Sequence, residues 1–197
     1  MARSAQLRRD TGETHIKLAL VVDGGGKYQN YTGVGFLDHM LDLFARHGRF
    51  DLRIEAEGDT HVDFHHVVED VGITLGKAFR EALGELRGVA RYGNFFMPMD
   101  ETLVLAAVDL SGRGHLNFDV ELPTQKVGDF DTELCKEFFI AFARQLGCTL
   151  HIKKFYGENS HHIIEAVFKG AARALAQAVA IDPAYGDEIP STKGVLL

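Results

Sequence analysis

The sequence predicts an α+β fold built from two internally duplicated β-α-β-α halves, with two sheets packed around a shared helical layer. Three observations lead there. First, His65-His66-Val67-Val68-Glu69 returns as His161-His162-Ile163-Ile164-Glu165, 96 residues later. Second, Phe44-Ala45-Arg46 returns as Phe142-Ala143-Arg144, and Leu52 and Ile54 return as Leu150 and Ile152, each 98 residues later. A two-residue deletion in the later loop reconciles the two offsets. Third, strand-type alternation and helix-type spacing follow one another in the same order in both halves. The expected organisation of 1–197 is one domain of two pseudo-repeats, about 7–90 and 91–185, plus a C-terminal tail. Neither half carries enough apolar surface to bury alone.

The elements follow in order. Ile16 to Val22 is rich in β-formers and ends at Gly24-Gly25-Gly26, which predicts a strand and a turn. Leu37, Met40, Leu41 and Phe44 keep helical spacing, with Gly48 as the stop. Phe50, Leu52, Ile54 and Ala56 alternate as a half-buried strand does. A loop from Gly58 to Asp63 leads into a helix from about Phe64 to Leu86. The second half gives strands at Thr102 to Asp109 and across Leu116, Phe118 and Val120. A helix from about Thr132 to Leu146, a strand at Thr149 to Lys153 and a helix from about Ser160 to Val179 complete it. Asp63 and Ser160 stand where N-caps are expected.

Composition narrows the function. Hydrophobic residues make up 46% of the chain and charged ones 25%, enough to build a core. The net charge of −7 argues against a nucleic-acid partner, which wants a basic face. The only basic pairs, Arg8-Arg9 and Lys153-Lys154, are expected to be solvated surface. Two cysteines, Cys135 and Cys148, are too few for a disulfide framework and fit reduced thiols. The N-terminal residues lack an apolar signal core, and no stretch approaches the roughly 18 apolar residues of a membrane span. The expectation is a soluble, cytoplasmic protein with no membrane partner.

Chemistry concentrates in the repeated segments. On a helix, His65 and Glu69 are i, i+4 and His66 and Glu69 are i, i+3, so each imidazole can share a face with the carboxylate. Neighbouring His65 and His66 point about 100° apart and would not reach one ion together. Each adjacent pair is therefore expected to serve two different ions, and the duplicated chain to hold two metals. Imidazole and carboxylate without thiolate suit Mn, Fe or Zn. The 98-residue offset also sets Glu137 opposite His39, and both side chains are competent to bind metal. The alternative for Glu137 is an ordinary solvated helix glutamate. His61, His115 and His151 lack symmetric partners and read as ordinary histidines.

Several segments together resemble one family. Phe36-Leu37-Asp38-His39-Met40, Asp63 to Asp70, Ser160 to Lys169 and Pro190-Ser191-Thr192-Lys193-Gly194 are similar to imidazoleglycerol-phosphate dehydratase. The resemblance runs from Thr11-Gly12-Glu13-Thr14 to the C-terminus. It implies a lyase of L-histidine biosynthesis that dehydrates D-erythro-imidazole-glycerol phosphate to imidazole-acetol phosphate. It also implies two Mn2+ ions per site, with Fe2+ or Zn2+ as substitutes. His39, His65, His66, Glu69, His161, His162 and Glu165 look like metal ligands by this resemblance, and Glu137 stands where the family pattern carries a ligating histidine. Arg91, Arg113, Lys169, Ser191 and Lys193 look like phosphate or substrate contacts, with His39 also at the substrate. Glu13 looks like the acid/base residue, with Glu165 as a second candidate. The family is similar in being a homo-oligomer, a shell of 24 subunits with sites shared between chains.

The chemistry makes physical sense of such a set. The hydrogen to be lost sits on a carbinol carbon, too weakly acidic for a carboxylate to remove directly. Ions on the ring nitrogens would favour the imidazole anion, whose electrons can expel the hydroxyl on the adjacent carbon. Two other classes compete. A dinuclear metallohydrolase would turn over esters without needing an imidazole ring. A metal-storage or metal-assembled protein would lack a saturable small-molecule site.

Overall fold

The computed structural model describes residues 3–196. The first half runs β1 (Ser4–Asp10), β2 (Thr14–Val21), β3 (Tyr28–Tyr31), α1 (Gly35–Gly48), β4 (Asp51–Gly58) and α2 (His65–Leu83). The second runs β5 (Tyr92–Met99), β6 (Thr102–Asp109), β7 (His115–Asp119), a short hairpin of β8 (Lys126–Val127) and β9 (Phe130–Asp131), α3 (Leu134–Leu146), β10 (Thr149–Tyr156) and α4 (Ser160–Ala178). The four-stranded sheets have orders β1-β2-β4-β3 and β5-β6-β10-β7, the same topology twice.

The register repeats as well. Leu20 pairs with Leu52 and Leu18 with Ile54 in one sheet; Val108 pairs with Leu150 and Ala106 with Ile152 in the other. The parallel edge repeats too, Tyr28 on Leu52 and Leu116 on Leu150. β2 starts at 14 and β6 at 102, an offset of 88, whereas β4 and β10 start 98 apart. The β8–β9 hairpin, inserted between β7 and α3, takes up the difference.

The four helices lie between the sheets because each buries a stripe of large side chains. α2 covers β1 and β2, α4 covers β5 and β6, and the halves meet where α2 packs on α3 and α1 on α4. Phe44 and its duplicate Phe142 meet edge-to-face with ring centroids 6.0 Å apart, and Phe79 stands edge-on to both. Gly72 and Gly76 let α2 approach α3 closely: a Cβ would sit 2.7 Å from the Phe138 carbonyl oxygen and 2.5 Å from that of Phe142. Both cysteines are buried and free, and burial pushes the Cys148 thiol up to about 12.

The sequence reading needs four corrections. The strands β1, β3 and β5 and the hairpin were not anticipated. β1 alternates, but with Arg9 as an inward residue: its guanidinium donates to Asp70 at 2.7 Å, so Arg9 is not solvated surface. α2 stops at Leu83, because Gly84 and then Leu86 take positive φ of 55° and 61°. The cap of α4 is Asn159, whose Oδ1 accepts from the N–H of His161 and His162. Ser160 is instead buried and accepts from the Thr124 N–H at 3.1 Å. Asp63 accepts from the His65 N–H at 2.7 Å, but Phe64 occupies the capping position. No helix among the described residues is long and apolar enough to cross a membrane.

Candidate metal centre

The motif histidines sit in the first turns of α2 and α4, and the motif glutamates follow about one turn later. His161 opens α4, and one turn later Glu165 lies on the same face, with Nε2 and Oε2 3.4 Å apart. α1 packs alongside α4 in the same direction: the Phe36 ring meets the His161 ring at 5.1 Å, and further along His39 Nε2 lies 3.9 Å from Glu165 Oε2. His39, His161 and Glu165 thus offer ligand atoms that all lie within 4.8 Å of one another. His39 belongs to the first half and the other two to the second, so the group exists only because the halves are packed together.

The group fits a divalent ion. Two ligands at about 2.1 Å from a metal stand at most about 4.2 Å apart. The 3.4 and 3.9 Å separations already meet that limit, and a contraction of a few tenths of an ångström completes the set. Nitrogen and oxygen donors suit Mn, Fe or Zn. Glu165 is buried, yet its charge is held. Burial pushes its carboxyl up, but the Lys169 ammonium hydrogen-bonded to Oε1, aided by His39 and His161, outweighs this and leaves it below its ordinary value.

The duplicate of this group would be His65 and Glu69 on α2 with Glu137 on α3, which pack together as α4 and α1 do. All three are half-buried. Among the described residues, no second trio of ligand atoms gathers within the span of the first.

His66 and His162 turn elsewhere, their rings 6.3 Å from those of His65 and His161 and near-perpendicular to them. His66 Nδ1 bonds Asp59 at 2.9 Å, and its Nε2 lies 3.8 Å from Glu13 Oε1. His162 Nδ1 bonds Glu101 at 2.8 Å, and its Nε2 lies 3.8 Å from Asp100. The Asp59 bond raises His66 above its ordinary value, and the Glu101 bond does the same for His162. Glu101 is in turn held well below the usual carboxylate range by His162 and by the backbone N–H of Asn159. Sequence reasoning missed Asp59, Asp100 and Glu101, which lie in loops outside the repeated segment. The one available signal was that Glu101 follows Glu13 by 88 residues, the offset of the strands beside them.

The basic residues expected at the substrate fall into two places. Lys169 is at the metal group. Arg91 stands just before β5, where its backbone N–H bonds the Ala178 carbonyl at the far end of α4. Ala178 is 16 residues beyond His162, about 24 Å along the helix. There Arg91 Nε donates to Asp109 at 2.8 Å and Nη1 donates to the Pro190 carbonyl at 2.8 Å, tying the C-terminal segment to β6. Arg113 lies beside this end, next to Ser111 and Leu110, whose N–H bonds the Arg91 carbonyl at 3.0 Å. Ser191 and Lys193 follow Pro190 in a turn, and Leu196 is buried.

A family model described as imidazoleglycerol-phosphate dehydratase matches residues 32–175, from just before α1 to near the end of α4 and well over half of the chain. The chain belongs to the imidazoleglycerol-phosphate dehydratase family. Relatives of that name from Azorhizobium caulinodans and Magnetococcus marinus are each 59% identical to it. The first alignment covers 98% of both chains, and the second covers 100% of this chain and 99% of the relative. A crystal structure of imidazoleglycerol-phosphate dehydratase from Staphylococcus aureus superposes with a TM-score of 0.82 at 42% identity, covering 90% of this chain and 99% of that one. That of the Pyrococcus furiosus protein gives 0.83 at 45% identity, covering 96% and 100%. The expected fold class and family are those found.

Proposed function

We propose that this member of the imidazoleglycerol-phosphate dehydratase family is a metal-dependent lyase of L-histidine biosynthesis, acting in the cytoplasm. It dehydrates D-erythro-imidazole-glycerol phosphate to imidazole-acetol phosphate. The observation that carries the reading is the His39–His161–Glu165 group, assembled across the halves of a chain whose relatives bear that name. Two Mn2+ ions are proposed, one on this group and one on His65, Glu69 and Glu137, with His66 and His162 serving further ligand positions. Bound manganese would supply a Lewis acid that stabilises the anionic form of the substrate imidazole.

The chain's own residues do the rest. Glu13, exposed and 3.8 Å from His66, is the proton acceptor and donor, since Glu165 is engaged by His161 and Lys169. Lys169 meets the substrate beside the metal group. Arg91, Arg113, Ser191 and Lys193 contact the phosphate of a substrate bound to a neighbouring subunit, because the length of α4 separates them from their own chain's histidines. The proposed assembly is a homo-oligomer of 24 subunits with shared sites. Imidazole-glycerol phosphate added with Mn2+ is expected to yield an enolised keto product detectable by its ultraviolet absorbance. Metal bound without product would refute the lyase reading. His65→Ala and His162→Ala are expected to lose both metal and activity.

A further inference from the structure

His66 and His162 each meet a carboxylate through Nδ1, and the two halves take that carboxylate from different places. Asp59, in the loop after β4, supplies it in the first half at 2.9 Å. The residue 98 positions later is Gly157, which has no side chain, and a Cβ there would stand 2.4 Å from Thr102 Oγ1. The second half instead uses Glu101, in the turn just before β6. Its Oε2 takes His162 Nδ1 at 2.8 Å while its Oε1 accepts from the N–H of Asn159 at 3.0 Å and of Glu158 at 3.2 Å. The residue 88 positions before Glu101 is Glu13, which makes no such bond and faces His66 Nε2 instead.

We propose that Asp59 and Glu101 are positioning residues: each accepts the Nδ1 proton of its histidine, fixing ring and tautomer so that Nε2 is the free donor toward a divalent ion. The inference rests on the metal-binding reading above. A neutral imidazole carries one N–H, and a carboxylate at one nitrogen leaves the lone pair on the other. Metal-bound histidines are commonly held in this way. Asp59 supports it from a second side. Its Oδ1 is buried with no hydrogen-bond partner, so the His66 ring is the one partner of its side chain among the described residues. A half-buried carboxylate kept for a single bond is costly unless that bond has a use. The halves have therefore divided two tasks between duplicated glutamates. Asp59 leaves Glu13 free for proton transfer, and the loss of a side chain at Gly157 commits Glu101 to holding His162.

The test compares Mn2+ binding of the full chain with Asp59→Asn, Glu101→Gln and Glu13→Gln, read by the electron paramagnetic resonance of free Mn2+. Glu101→Gln keeps an oxygen for the Asn159 and Glu158 N–H groups, but offers His162 Nδ1 a donor, which moves the ring proton to Nε2. Asp59→Asn and Glu101→Gln are expected to bind Mn2+ about 10–100-fold more weakly, whereas Glu13→Gln keeps the parent's affinity while losing turnover. Side-chain 15N shifts of the metal-free protein should show the Nδ1–H form of His162 in the parent and its loss in Glu101→Gln. Unchanged affinity in Glu101→Gln, or an equal loss in Glu13→Gln, overturns the positioning role alone. A parent that binds no Mn2+ overturns both this role and the metal-dependent reading.

Discussion

Asp70 is the buried residue whose removal tests the duplication most directly. Its carboxylate, 8% exposed, accepts from Arg9 at 2.7 Å and from the fully buried Thr14 hydroxyl at 2.6 Å. Asp70→Ala leaves the Arg9 charge unpaired against the core, and breaking a buried ion pair costs about 3–5 kcal/mol. Arg9 keeps 30% of its side chain in water, which offsets part of this and leaves about 2–3 kcal/mol. For a chain of this length that corresponds to roughly 4–12 °C in Tm. The second half shows the compensation. The positions corresponding to Arg9 and Asp70 are Met97 and Ala166, both buried, with Met97 facing Gly170. The double variant Arg9→Met/Asp70→Ala should therefore recover to within about 1 kcal/mol of the parent. Thr14 keeps its contact with Thr11 at 3.2 Å in that variant. The assay is thermal unfolding at fixed protein and Mn2+ concentration, since binding and assembly shift Tm by mass action. A coupling below about 0.5 kcal/mol between the two substitutions would refute the reasoning.

Three further outcomes are expected. Gly76→Ala places a methyl 2.5 Å from the Phe142 carbonyl oxygen, so it should lower the urea midpoint by about 1–3 kcal/mol equivalent despite alanine's better helix propensity; parental stability would deny the close α2–α3 approach. Burial raises the Asp38 carboxyl above its ordinary 3.8, against the hydrogen bonds from Thr32, so the folded state binds that proton more tightly than the unfolded one. Its penalty grows as pH rises through that range, and Asp38→Asn, which keeps the acceptor for Thr32, should raise Tm near neutrality and lose the gain in acid. Glu137→Ala is expected to lower the Mn2+ stoichiometry and Glu137→His to preserve it; unchanged binding in both would mean Glu137 is no ligand.

The fold was legible wherever the apolar pattern was strong. β6 was anticipated residue for residue from Thr102 to Asp109, because its buried positions alternate without interruption. β1 was not, because Arg8, Arg9 and Asp10 suggest surface, while its inward arginine is neutralised by Asp70, 61 residues away. β3 is four residues with no buried position, an edge strand without a pattern to read. At the site, the helix-borne candidate ligands were legible because duplication writes the His-His-x-x-Glu segment twice. His39 joins His161 and Glu165 as the first-half member of the group, and the offset that pairs it with Glu137 follows from the aligned helices. Asp59, Asp100 and Glu101 were hidden because loop geometry decides which carboxylate reaches which nitrogen. At Gly157 and Glu101 the halves no longer match, so the repeat itself misleads.

The layout of the fold also bears on why the proposed enzyme should be an oligomer. Sheets cover the helices on two sides, and helix ends with their loops are places where polar side chains reach solvent. The candidate ligands crowd the beginnings of α1, α2, α3 and α4. The basic residues Arg91 and Arg113 and the Ser191–Lys193 turn gather at the far end of α4, about 24 Å along that helix from His162. α4 packs against β5 and β6, which holds its two ends apart. On the proposed reading, a substrate with imidazole at one end and phosphate at the other is held between copies, with one chain supplying the metal end and another the Arg91–Arg113 end. Such a contact joins unlike surfaces, so it continues from chain to chain until the symmetry closes on itself. The proposed closed shell satisfies that requirement, and a monomer would leave each half-site without its complement.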